Sequence, residues 1–159
     1  METITARPIN VDSFAPYGQL LDVPEAPGRY DFQAKLFNGR VDAKPNLLLV
    51  RLAGQSLPLD IKVMEQHPQS SQAFLPLDVA RYLVLVSPST ANGGPDTAQL
   101  EAFIVSSAQG VNYNPGTWHH PLTALDRAGR FAALVWENGN MADTEWYKLS
   151  ADQRVRVEA

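Results

Sequence analysis

Only three histidines occur in this chain of 159 residues, and they fall in two short segments, Met64-Glu65-Gln66-His67-Pro68 and Asn114-Pro115-Gly116-Thr117-Trp118-His119-His120-Pro121. Each segment sets an imidazole directly before a proline, and the first adds a carboxylate two residues upstream. Imidazole is the side chain whose ordinary pKa lies nearest neutrality, and it is a common metal ligand. Two such segments, about fifty residues apart, can meet in a fold to make one site for proton transfer or for a cation.

The elements that must position these groups are short and extended. Alternating or compact apolar patterns predict strands over Gln19–Val23, Leu47–Leu52, Leu59–Glu65, Tyr82–Ser87, Glu101–Ser106, Val111–Asn114, Phe131–Glu137 and Trp146–Leu149. Turn residues separate them: Pro24–Gly28, Asn38-Gly39, Ser87–Pro95, Asn114–Gly116 and Glu137–Gly139. Helix periodicity is almost absent, apart from one turn over Val11–Ala15 that Asn10 or Asp12 caps and Pro16 and Gly18 end. Many short strands, 12 prolines and 10 glycines predict an all-β fold, an antiparallel sandwich or barrel. No repeat or linker divides residues 1–159, so a single domain is expected, with 151–159 as a polar tail or an edge strand. Pro88–Ala98 reads as the one loose loop.

Strand geometry then places the chemistry. Residues two apart share a face, so Ile61, Val63, Glu65 and His67 should point together into the apolar interior. An inward glutamate and histidine are costly unless paired, hydrogen-bonded or bound to a metal. The turn at Pro68–Ser71 should bring Gln72 back to the same region. Of the adjacent His119 and His120 one must face in and the other out, and His119 is taken as the inward one.

Composition excludes several classes. The net charge is −4 and no Lys/Arg cluster appears, which argues against a nucleic-acid or anionic-membrane surface. The chain has no cysteine, so disulfides, thiolate metal sites and cysteine nucleophiles are absent. The opening residues show no signal-like apolar core, and the longest apolar runs, Tyr82–Val86 and Phe131–Trp136, are far too short to span a bilayer. A soluble, cytoplasmic protein is expected.

Two longer patterns carry a resemblance. Glu65-x-His67-Pro68-x-x-Ser71-Gln72-Ala73-Phe74-x-Pro76 and Gln109-Gly110-Val111-Asn112-Tyr113 with Trp118-His119-His120-Pro121-Leu122 resemble the ureidoglycolate lyase family of allantoin and purine degradation. The match runs from Phe14-x-x-Tyr17-Gly18 through Phe131. It implies a cupin-like antiparallel β-barrel or jelly roll, and a homodimer. It also implies a carbon–nitrogen lyase that cleaves ureidoglycolate to glyoxylate and urea. Glu65, His67, Gln72 and His119 stand where cupins carry metal ligands, with a glutamate in place of one histidine and a glutamine in place of the usual glutamate. The family is associated with nickel, but imidazole, carboxylate and amide oxygen also suit manganese or iron, or hydrogen bonding without a metal.

The same resemblance suggests roles. His119 or His67 acts as base on the substrate hydroxyl, and Glu65 orients that imidazole or serves as the acid. Arg51 is the candidate clamp for the substrate carboxylate, although a strand-end arginine is more often a solvated charge. Gln72, Asn112 and Tyr113 would bind the ureido group, and Trp118 would exclude water. The chain departs from its relatives after the Phe131 strand, where it reads Leu134-Val135-Trp136-Glu137-Asn138-Gly139-Asn140-Met141-Ala142-Asp143, so Glu137 enters as a candidate for altered specificity. Two other functions fit the same residues: another metal-dependent cupin enzyme acting on a small carboxylic acid, and a non-catalytic small-acid-binding cupin.

Overall fold

The computed structural model describes residues 1–22 and 24–159. Chain order runs β1 (Glu2–Thr5), β2 (Arg7–Pro8), one helical turn α1 (Val11–Phe14), β3 (Gly18–Asp22), β4 (Lys44–Leu52), β5 (Leu59–Ile61), β6 (Val63–Gln66) and β7 (Gln72–Asp78). It continues through β8 (Arg81–Ser87), β9 (Glu101–Ser106), β10 (Gln109–Tyr113), β11 (Trp118–His119), β12 (Thr123–Leu125), β13 (Gly129–Glu137), β14 (Glu145–Lys148) and β15 (Val155–Glu158). Asn10 caps α1, its side-chain oxygen accepting the Ser13 N–H at 2.9 Å. The first predicted strand lies at Gly18–Asp22; its last expected residue, Val23, falls outside the described residues.

Two large sheets face each other. One has five strands in the order β3-β10-β7-β13-β4; the other has seven, six in the order β14-β6-β11-β8-β9-β2 and β12 paired to β8; β1, β15 and β5 form a third. Pairing is antiparallel except for β1 with β15 and β2 with β9. The arrangement is an open jelly roll, not a closed barrel.

Between the large sheets lies an aromatic core in which Phe14, Tyr82, Phe103 and Phe131 are fully buried. Burial of each contributes roughly 1.5–3 kcal/mol. A second core, with Ile61, Met64, Leu83, Leu85, Trp118, Leu125, Val155 and Val157, fills the space behind the seven-stranded sheet. Strand β8 separates the two cores, sending Tyr82, Val84 and Val86 one way and Leu83 and Leu85 the other. Its sequence is therefore apolar throughout instead of alternating.

Four expectations change. The span Leu59–Glu65 is interrupted at Lys62, so β5 pairs with β15 while β6 pairs with β11 and β14; Ile61 consequently packs in the second core with Met64, away from Glu65. Strand β7 is hidden in the sequence because Pro76 interrupts its pattern. That proline lies beyond the three residues paired with β10 and beside a register shift in β13, where a missing donor is tolerated. The Pro88–Ala98 loop is tied down, through Trp118 Nε1–H donating to the Gly93 carbonyl at 3.0 Å and a bridge between Ser89 and Pro95. Finally, β15 is the central strand of its sheet, with Val155 and Val157 buried, and is neither a tail nor an edge. No helix among the described residues is long and apolar enough to cross a membrane.

Candidate functional site

Strands β6 and β11 are antiparallel neighbours, and their register sets His119 directly opposite Glu65. His67 leaves β6 one residue beyond its end, two residues after Glu65, so it keeps the same inward direction. The three side chains converge: one ligand atom from each of Glu65, His67 and His119 lies within 4.8 Å of the others. The His67 and His119 rings stack at 5.8 Å, and Tyr113 stacks on His119 at 4.2 Å and 12°.

The hydrogen bonds fix the tautomer of His119. Its Nδ1 lies 2.8 Å from the Thr117 carbonyl, which can only accept, so Nδ1 carries a proton and Nε2 is the ring nitrogen left to bind a proton or a cation. That Nε2 is buried without a partner and sits 3.6 Å from Glu65 Oε1, which can only accept when ionised. Two acceptors facing each other in a buried site call for a proton or a cation between them. His67 supplies a third lone pair. Burial first, and His119 second, push its pKa down to about 4, so the ring is neutral at pH 7. Gln72, from the inward face of β7, brings a buried Oε1 that likewise has no partner. Carboxylate, two imidazoles and an amide oxygen form a donor set suited to a divalent transition ion, so the residues fit the metal that the resemblance implies.

These groups border a cavity of about 210 Å³. Glu65, His67 and Gln72 reach it directly, while His119, 2% exposed, lies just behind. Leu48, Phe74 and Val135 give it an apolar wall; Glu137 stands at its mouth, accepting from Asn46 Nδ2 at 2.6 Å. Burial, with Glu65 second, raises the pKa of the Tyr113 hydroxyl, so it stays a neutral phenol.

Three expected substrate contacts lie elsewhere. Arg51 sits on the outer face of β4, because Val50 and Leu52 turn inward onto the aromatic core; it lines a separate surface hollow with Asp78, Arg127 and Arg130. Asn112 faces away from the interior that Val111 and Tyr113 occupy, and its Nδ2 donates to Gln19 Oε1 at 2.6 Å. Trp118 packs in the second core, since its neighbour His119 takes the inward direction. His120 is turned away as well, with Nδ1 3.0 Å from the Val63 carbonyl.

The cation at the cavity is instead Arg40, from the connection between β3 and β4. Its side chain is 12% exposed; Nη2 donates to the Trp136 carbonyl at 2.6 Å and lies 3.5 Å from Asp143 Oδ2, while Nε has no partner. Its sequence signal was only the Asn38-Gly39 turn beside it, and its charged partner lies far along the chain at Asp143.

The architecture is that of a cupin-type protein. A dTDP sugar isomerase from Desulfovibrio desulfuricans G20 superposes with a TM-score of 0.53 at 13% identity, covering 86% of this chain and 85% of that one. Within that class the chain belongs to the ureidoglycolate lyase family, whose model matches residues 1–158. An Agrobacterium fabrum protein that carries the ureidoglycolate lyase name provisionally is 41% identical over 99% of this chain and 97% of its own length. Ureidoglycolate lyases of Brucella ovis and Pseudomonas syringae pv. tomato are 35% and 30% identical, covering 99% and 93% of this chain and 96% and 92% of their own.

Proposed function

We propose that this protein is a carbon–nitrogen lyase that cleaves ureidoglycolate to glyoxylate and urea, in allantoin and purine degradation. The observation that carries the proposal is the meeting, at one small cavity, of the cluster Glu65, His67 and, just behind them, His119 with the partly bonded guanidinium of Arg40. The substrate has matching parts on one carbon: a carboxylate, a hydroxyl and a urea nitrogen. Arg40, which lines the cavity, holds the carboxylate. Gln72 receives a ureido N–H or serves as a ligand. His119 Nε2 takes the hydroxyl proton as the carbonyl of glyoxylate forms and the C–N bond breaks, and the imidazolium then gives that proton to the departing urea nitrogen. Glu65, 3.6 Å away, stabilises the imidazolium between the two transfers. Such acid–base assistance is worth roughly 10²–10⁴-fold.

A divalent ion, nickel by family association, would be held by Glu65, His67, Gln72 and His119 and would supply Lewis-acid polarisation of a substrate oxygen; with Nε2 so engaged, the direct proton transfer by His119 belongs to the metal-free site. The chain acts as one domain, a reading supported by β15, which pairs with both β1 and β5. It works in the cytoplasm as a homodimer that binds neither nucleic acid nor membrane. The dimer is supported by an outer sheet face carrying exposed Leu47, Leu49, Leu75 and Leu77, an arrangement that marks association surfaces.

The test is urea and glyoxylate release from racemic ureidoglycolate, before and after chelation and re-addition of nickel or manganese. Turnover abolished by chelation supports the lyase with a metal; turnover that survives makes the imidazoles direct acid–base groups. Absence of release under every metal overturns the activity.

A further inference from the structure

The connection between β13 and β14 carries Asp143, a carboxylate only 5% exposed that no role above uses. Its Oδ1 accepts the Gln69 N–H at 2.7 Å, and its Oδ2 accepts the Ser70 hydroxyl at 2.5 Å while facing Arg40 Nη2 at 3.5 Å. Three chain segments therefore meet at one carboxylate: the turn after His67, the β13–β14 connection and the segment bearing Arg40. The backbone of that segment is itself fixed, with Gly39 N–H donating to the Gln69 carbonyl at 2.8 Å and Asn38 bridging to Ser70. The next residue, Thr144, sets its hydroxyl 3.5 Å from His67 Nδ1.

We infer that Asp143 is the positioning residue for Arg40, holding the guanidinium against the cavity that Arg40 lines and thereby setting the preference for a carboxylate-bearing substrate. This rests on the reading of Arg40 as the carboxylate-binding group. The geometry separates the tasks: Nη2 is taken up by Trp136 and Asp143, while Arg40 still lines the cavity. An arginine loses rotamer freedom when fixed, and fixing it in advance removes that cost from ligand binding.

Charge alone makes the opposite prediction. Removing a carboxylate beside an anion site reduces repulsion, so Asp143→Asn would tighten anion binding if Asp143 merely sat nearby. Asparagine keeps an acceptor for the Gln69 N–H, so a purely structural role would leave glycolate and urea binding either both unchanged or both weakened.

The experiment titrates the purified full-length protein with glycolate, which carries the carboxylate and hydroxyl, and separately with urea. It compares wild type, Arg40→Gln, Asp143→Asn and, as the milder variant, Ser70→Ala. Arg40→Gln and Asp143→Asn should each weaken glycolate about tenfold or more, Ser70→Ala about threefold, with urea changed no more than about twofold. In turnover, Asp143→Asn should raise KM by a similar factor and leave kcat within about threefold. Glycolate binding that tightens or is unchanged in both Asp143→Asn and Ser70→Ala, or that weakens together with urea, overturns the positioning role. If Arg40→Gln leaves glycolate unaffected, the carboxylate reading of Arg40 falls first and this inference with it; failure of the Asp143 and Ser70 variants alone leaves that reading standing.

Discussion

Strand β4 has an arginine near each of its ends, and the two have little in common beyond their charge. Arg40, four residues before the strand, is nearly buried against the cavity and bonded to a carbonyl. Arg51, close to its other end, lies on the outer face directly opposite Arg130, with Arg127 and Asp78 nearby. Around Arg51 the charges are solvated and satisfied by each other: Asp78 accepts from Arg127 at 2.7 Å and from Arg130 at 3.0 Å. Around Arg40 the polar atoms are dry and several lack partners. A solvated ion pair is worth little and asks for nothing more, whereas buried donors and acceptors without partners imply a ligand that completes them.

The sharpest attempt to break this contrast removes the buried imidazole behind the cavity. His119→Ala should lower kcat by roughly 10²–10⁴-fold with the fold retained by circular dichroism; near-normal turnover would sink the proton-transfer role. Next in size, stripping divalent ions should reduce turnover about tenfold or more, with recovery on adding nickel or manganese; the Arg51→Ala protein should show the same loss, as its end of the sheet takes no part.

A matched pair of lysine variants compares the arginines directly. Arg40→Lys should raise KM about tenfold, because an ammonium cannot keep the carbonyl bond and also offer a planar donor to a carboxylate. Arg51→Lys should leave both kinetic constants within about twofold. Equal effects would erase the distinction between the two regions.

The smallest effect belongs to the solvated end. Hydrogen bonds from Arg127 and then Arg130 hold the Asp78 carboxyl below its ordinary value of 3.8. A depressed carboxyl contributes stability that is complete above the ordinary value and drains away as acid protonates the folded state. Denaturant midpoints of wild type and Asp78→Asn should therefore converge below pH 3.8 and differ slightly above it. High salt should shrink that difference.

The fold was legible wherever a strand had one buried face or a long apolar run, as in β4, β8, β9 and β13. It was not legible where pairing partners supply the definition: β1, β2 and β12 are two to four residues long, and β7 is masked by its proline. Glu65, His67 and Gln72 could be grouped because alternation along one strand and a tight turn after it determine direction. Arg51 could not be oriented, since Leu47-Leu48-Leu49-Val50 does not alternate. Asn112 and Trp118 show a different error. Each is the immediate neighbour of a residue at the site, Tyr113 or His119, and adjacent strand residues point to opposite faces, so only one of each pair can enter. Arg40 escaped notice because its position depends on contacts between remote loops.

The two-residue strand β11 also bears on how the site tolerates change in length. Its phase is imposed by β6 and β8, not by its own sequence. Loss of one residue from the Asn114–Thr117 turn would draw the chain forward and set His120 where His119 now faces Glu65. The doublet thus keeps an imidazole in register through such a deletion, whereas an added residue would put Trp118 there and silence the chemistry. Indels in this turn should be strongly asymmetric in effect, making a short loop a record of which length changes the enzyme can survive.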